Sequence, residues 1–185
     1  MPRLPKISPD EATGRTAQLY NAVNRKLGRV PNLMQTMGNS AATLEGYLNL
    51  NTAIQTGELS PADRERIALA VAEANQCEYC LAAHSALGKL TGLNADQVTE
   101  SRRGTAANQR VDALLQFTRN VLKARGKIRD DDLQSFLQAG YTDGQATEVI
   151  ANIAVNVFTN YLNNVAGTEL DFPPAPTLSS DATAA

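Results

Sequence analysis

Apolar residues recur at steps of three and four along most of the chain, the period of a helix with one buried face. No segment shows the alternation of a half-buried strand, so the pattern predicts an all-α protein. Proline and glycine punctuate it. Ser8-Pro9-Asp10-Glu11 reads as a capped helix start, and that first helix runs to about Leu27 before Gly28. Val30-Pro31-Asn32 is a connector, and the stripe Leu33, Met34 and Met37 is assigned to the core. A second helix spans roughly Ala41 to Gln55, with Leu44, Tyr47, Leu48 and Ile54 buried, and Gly57 ends it. Ser60-Pro61-Ala62-Asp63 opens a third, and Asn94-Ala95-Asp96-Gln97 opens a short one after Gly92. Asn108 to Arg125 and Asp130 to Ala139 are two more. Thr142-Asp143-Gly144-Gln145 is a capping box for the longest helix. Its expected buried stripe is Ala146, Val149, Ile150, Ile153, Val157, Tyr161 and Leu162.

This gives a single helical domain over residues 1–172, with a tail at 173–185 rich in proline, serine and alanine and expected to be disordered. Two points stay open. The stretch after Ser60 is either one continuous helix or is broken at Asn75-Gln76, and the broken form is preferred, with Asn75 as the new N-cap and Glu78 completing the box. Asn152, Asn156, Asn160 and Asn164 form a stripe at steps of four, read first as a solvated face and second as a buried polar ladder.

Composition narrows the field. Seventeen basic and 19 acidic residues leave a net charge of −2, which gives no electrostatic case for nucleic acid or an anionic membrane. No apolar run approaches the ~20 residues needed to span a bilayer. The start, Met1-Pro2-Arg3-Leu4-Pro5-Lys6, lacks the apolar core of a signal peptide, so a cytoplasmic location is expected.

The chain's 2 cysteines and 1 histidine all lie within Cys77-Glu78-Tyr79-Cys80-Leu81-Ala82-Ala83-His84. On a helix Cys77, Cys80 and His84 share an arc of roughly 60°, and Glu73 joins them if the helix is continuous. Cysteines three apart on a helix can close a disulfide, and an imidazole one turn on can reach the second sulfur. A nearby imidazole takes a thiol proton or stabilises the thiolate, which is the reactive form. In a reducing compartment a lone CxxC points to thiol–disulfide redox chemistry rather than a staple. Against this stand two plainer readings. The cysteines could be core residues, or they could bind zinc with His84 and Glu65 or Glu73, although no second CxxC or histidine completes such a set. Glu73 is as well placed for a surface as for the site, and Tyr79 for a pocket wall as for an interface. No glycine fingerprint of a nucleotide cofactor is present, so no tightly bound nicotinamide or flavin is expected.

Glu65 followed after eleven residues by Cys77-x-x-Cys80-x-x-x-His84 resembles the carboxymuconolactone decarboxylase and AhpD-type alkylhydroperoxidase superfamily. Val30-Pro31-Asn32, the stretch Leu59 to Leu90, and the stretch Tyr161 to Pro173 resemble its peroxidase-related branch. The resemblance implies an all-α AhpD-like fold of about seven to eight helices with the CxxC at the N-terminal end of a helix. It also implies a homo-oligomer that reduces organic hydroperoxides as an antioxidant. By position, Cys80 resembles the peroxide-attacking cysteine, Cys77 the resolving one, and His84 and Glu65 members of the proton relay. An external dithiol, lipoyl-bearing or thioredoxin-like, would be the electron donor. Tyr79 stands where the motif often carries a second histidine, and a phenol does not shuttle protons near neutral pH as an imidazole does. Two alternatives are a carboxymuconolactone decarboxylase-like enzyme, whose branch lacks the cysteine pair, and a non-catalytic thiol redox sensor.

Overall fold

The computed structural model describes residues 2–178, and among these every regular element is a helix. They are α1 (Gly14–Leu27), α2 (Asn32–Met37), α3 (Ala41–Ile54), α4 (Pro61–Ala74), α5 (Glu78–Leu90), α6 (Ala95–Arg103), α7 (Gln109–Ala124), α8 (Asp130–Gln138) and α9 (Asp143–Ala166). The all-α expectation holds, with nine helices among the described residues rather than seven to eight.

Helix α4 is the hub, in contact with α5, α6, α7 and α9. Seven consecutive residues, Arg66 to Ala72, are buried, as expected of a helix enclosed on all sides. Two apolar clusters lie either side of it. One joins Leu19, Tyr20, Leu33, Met37 and Leu44 to the start of α5 and includes both cysteines. The other joins Ile67 and Val71 to Leu114, Phe117, Phe136, Val149 and Ile153. Phe136 is stacked between Phe117 and Tyr141, with ring centroids 4.4 Å away on each side.

Most helix ends fall where their caps predict, because a side-chain acceptor in the right place satisfies backbone N–H groups that the first turn leaves unpaired. Ser60, Asn94, Asn108 and Thr142 each accept the expected bond. Three starts differ. Ser8 and Glu11 do bond reciprocally, but they close a turn, not a helix. Helix α1 begins only at Gly14, whose φ of +55° is left-handed, so a helix begun at Ser8 could not run through it. The supposed connector at Pro31 caps the short helix α2. Asn75 closes α4 instead of opening α5.

Helix α9 corrects two further readings. Asn152, Asn156 and Asn160 are buried, so the solvated face is wrong for them, and only Asn164 is exposed. Ile150 and Tyr161, expected inside, are 50% and 58% exposed. A four-residue step on a 3.6-residue helix turns about 40° each time, so a stripe of that spacing winds off its face.

The predicted tail does not leave the body at once. Ala175 packs against the first cluster, and the Arg102 guanidinium donates to the Pro176 carbonyl at 2.6 Å. Residues 179–185 of that tail lie outside the described residues.

Candidate functional site

The link between α4 and α5 puts the cysteines in place. The Cys77 N–H bonds the Ala72 carbonyl at 3.0 Å and the Gln76 N–H bonds the Glu73 carbonyl at 3.1 Å, the pair of bonds that closes a helix when the intervening residue turns left-handed. That residue is Gln76, at φ 52°, where glycine is usual. The preferred break is therefore present, with the new helix capped two residues later than expected, at Cys77 rather than Asn75. Cys77 itself is the N-cap of α5, and its Sγ accepts the Cys80 N–H at 3.3 Å. The CxxC thus sits at the N-terminal end of a helix.

Cys77 and Cys80 form a disulfide with Cα atoms 5.3 Å apart. Both are deeply buried, at 0% and 2% exposure. The Cys80 sulfur also accepts from the Asn163 side-chain amide on α9, 3.2 Å away.

The bend brings α5 back along α4. His84 Nδ1 lies 2.8 Å from Glu65 Oε2, although a single straight helix would hold Glu65 about 18 Å from Cys77 along its axis. A carboxylate only accepts, so the imidazole donates from Nδ1, and in the neutral ring the lone pair then lies on Nε2. Cys80, His84, Glu65 and Tyr79 line one cavity of about 90 Å³ between α3, α4, α5 and α9. Cys77 is not among its lining residues. The remaining wall mixes apolar groups such as Leu33 and Ile54 with the amides of Asn51, Asn152 and Asn156. Tyr47 also faces it, and burial together with the nearby Glu65 charge pushes its phenol up to about 12, so it stays protonated at neutral pH.

Two candidate residues land differently. Glu73 is not in this cavity, because its carboxylate is held by Arg102 Nε at 2.7 Å on another side of α4. Once the helix breaks, its phase no longer follows that of the cysteines. Tyr79 does line the cavity, but its hydroxyl is engaged by the Leu33 N–H at 3.3 Å. Its ring meets Phe172 edge-on at 5.8 Å, and Arg29 covers Phe172 while bonding Asp171 at 3.1 Å. Burial, then the neighbouring Asp171, pushes the Tyr79 phenol well above its ordinary value. It locks α5 to the C-terminal segment and is no proton carrier near neutral pH.

Sequence reasoning missed Asn163. The signal was there: Asn163 follows Asn152 by eleven residues and Asn156 by seven, both near whole numbers of turns. Among the described residues no group of three His, Cys, Asp or Glu side chains could hold a metal ion. None of their helices is long and apolar enough to cross a membrane.

The profile of the carboxymuconolactone decarboxylase family matches residues 41–124, a span that contains Glu65, Cys77, Cys80 and His84. A solved AhpD-core, uncharacterized peroxidase-related protein from Ralstonia eutropha is 27% identical, superposes with a TM-score of 0.81, and is covered over 92% of each chain. Over residues 41–124 the chain is similar to the carboxymuconolactone decarboxylase family, and its fold is that of AhpD-like proteins. It is also similar to an alkyl hydroperoxide reductase of Mycobacterium tuberculosis, 27% identical over 101 residues. That match covers 54% of this chain and 29% of the relative, so the chain spans less than a third of that protein's length. A debrominase solved with 2,3,4-tribromopyrrole shares the fold, with 19% identity, a TM-score of 0.76, and coverage of 92% of this chain and 94% of the other.

Proposed function

We propose that the protein reduces organic hydroperoxides through a Cys77–Cys80 dithiol/disulfide cycle. The observation that carries this is the partition of the pair. Cys80 opens on the cavity with His84 and Glu65, while Cys77 stays behind it within bonding reach of Cys80.

Starting from the dithiol, His84 accepts the Cys80 proton at Nε2, and Glu65 holds the imidazolium that forms. The Cys80 thiolate attacks the distal oxygen of ROOH and the O–O bond breaks. The sulfur becomes Cys80–SOH, and the leaving alkoxide takes the proton from His84 to give ROH. The Cys77 thiol then displaces hydroxide from Cys80–SOH, which leaves as water with the thiol's proton, giving the disulfide. An external dithiol, lipoyl-bearing or thioredoxin-like, restores the pair by exchange and is itself oxidised. The cycle needs no tightly bound cofactor, because that dithiol supplies both electrons.

Single substitutions test the roles. Cys80→Ser abolishes hydroperoxide consumption, and Cys77→Ser supports one turnover that stops at a sulfenic acid trapped by dimedone. Sulfenic acid on Cys77 in the Cys80→Ser protein would reverse the assignment.

The homo-oligomer expected from the sequence has a surface to support it. Ile150, Phe158, Tyr161 and Val165 are exposed along α9, an apolar side of the kind that contacts between copies cover. Light scattering should give a multiple of the 19.8 kDa chain mass, and a single-chain mass at micromolar concentration would refute it.

A further inference from the structure

We propose that Asn163 sets the reactivity of Cys80 by donating its side-chain amide hydrogen bond to the sulfur, and that its amide oxygen then receives the hydroxyl of the sulfenic acid. The second half rests on the peroxidase reading; the first does not.

The two sulfurs have different donors. The N–H at the start of α5, that of Cys80, is directed to Cys77 Sγ. Thioredoxin-like logic, in which the sulfur at a helix N-terminus is the activated one, would therefore favour Cys77. Cys80 receives its bond from α9 instead, through Asn163 Nδ2 at 3.2 Å. His84 is committed at Nδ1 to Glu65, so while the ring is neutral it has no N–H left to donate to the Cys80 sulfur. A buried thiolate without a donor is strongly disfavoured, and Cys80 is 2% exposed. The amide must also face this way round, since the reverse orientation would aim a carbonyl oxygen at sulfur lone pairs.

Asn163 is itself 3% exposed, and its Oδ1 is buried with no hydrogen-bond partner. Asn152 and Asn156, its neighbours in phase, spend their Nδ2 groups on backbone carbonyls of α9, at 2.8 Å each. Asn160 accepts from Asn75 at 3.0 Å and leaves its own amide nitrogen unpaired. Within the stripe, Asn163 is the member that addresses the sulfur. An orphaned acceptor beside a sulfur finds no donor in the disulfide. It finds one when ROOH oxidises the Cys80 thiolate, with loss of ROH, to Cys80–SOH, which carries a hydroxyl. One amide then serves both reduced and oxidised sulfur.

The test uses the full chain with Cys77→Ser, so that Cys80 is the lone thiol, and reads its pKa from the pH dependence of iodoacetamide alkylation. Asn163→Leu should raise that pKa by about one unit or more, a roughly tenfold loss of thiolate at pH values below it. Asn163→Ala should do the same and stands in if the leucine variant does not fold. Asn160→Ala, which loosens the same stripe without touching sulfur, should leave it in place. A Cys80 pKa unchanged by both Asn163 substitutions, or moved equally by Asn160→Ala, overturns the inference. Failure of the peroxidase reading looks different, since hydroperoxide would then leave the thiol intact while the pKa shift persisted. For the second half, dimedone labelling after one equivalent of cumene hydroperoxide should show a sulfenic acid shorter-lived in Asn163→Leu than in the Asn163 parent. An equal or longer lifetime overturns that half.

Discussion

Replacing Glu65 with glutamine removes one charge and almost nothing else. The carboxamide keeps the size of the side chain and an oxygen that can accept from His84 Nδ1, now 2.8 Å from the carboxylate. The imidazolium formed when His84 takes the Cys80 proton loses its ion-pair partner. Hydrogen bonds to a charged partner contribute about 1.5–3 kcal/mol and neutral ones about 0.5–1.5, a difference of about 1–1.5 kcal/mol. Both side chains are about a fifth exposed, so solvent screening keeps the effect near the lower end. At 1.36 kcal/mol per factor of ten, thiol oxidation should slow about five- to fifteenfold. The assay is stopped-flow loss of free thiol in pre-reduced protein under excess cumene hydroperoxide, with thermal melting to show that folding is retained. A Glu65→Gln rate within twofold of the parent across pH 6–9 would refute the carboxylate–imidazole relay.

Other consequences concern the frame around the site. Gly38→Ala drives a Cβ into the Tyr20 hydroxyl, which lies 3.1–3.2 Å from three backbone carbonyls. The buried ring must shift, so the substitution should cost about 2–4 kcal/mol, read as a lower urea midpoint at unchanged slope. Gln76→Val puts a β-branched residue at φ 52° and should cost about 1–2 kcal/mol, whereas Gln76→Gly should be neutral or stabilising by the same denaturation assay. Burial raises the Tyr20 and Tyr141 phenols to about 12 from an ordinary 10.0, so the folded state holds protons that the unfolded chain releases. Stability is therefore full below pH 10 and falls as pH climbs from about 10 to about 12. In a Tyr161→Phe chain, which lacks the exposed phenol, absorbance at 295 nm should show tyrosine ionisation only together with loss of helical circular dichroism, and ionisation near pH 10 in that still-folded chain would contradict it.

How much of this could be read from the residues alone depended on whether the deciding interaction was local. Helix ends carried by a capping side chain, at Ser60, Asn94, Asn108 and Thr142, were legible because the cap and its partner lie within three residues. The approach of Glu65 to His84 was legible once a break before Cys77 was allowed. Other features were decided by conformation or by distant partners. Gly14 adopts a left-handed turn that no neighbouring residue announces, which moved the start of α1. Helix α2 has only 6 residues, too few for a hydrophobic period to show. Gln76 occupies a position where glycine is usual, which hid the cap at Cys77. The asparagine stripe was misjudged because steps of four were treated as one face, which drew attention to Asn164 and away from Asn163. Glu73 was judged by the phase of a continuous helix, and its partner Arg102 lies 29 residues away on α6.

The central claim is that hydroperoxide itself drives the closure of Cys77 onto Cys80. The most direct measurement is a free-thiol count with intact mass on fully reduced protein, before and after one equivalent of cumene hydroperoxide. The account predicts a fall from 2 thiols to none, with each chain lighter by two hydrogens and no mass gained from oxygen. Two thiols and an unchanged mass after prolonged exposure would contradict it.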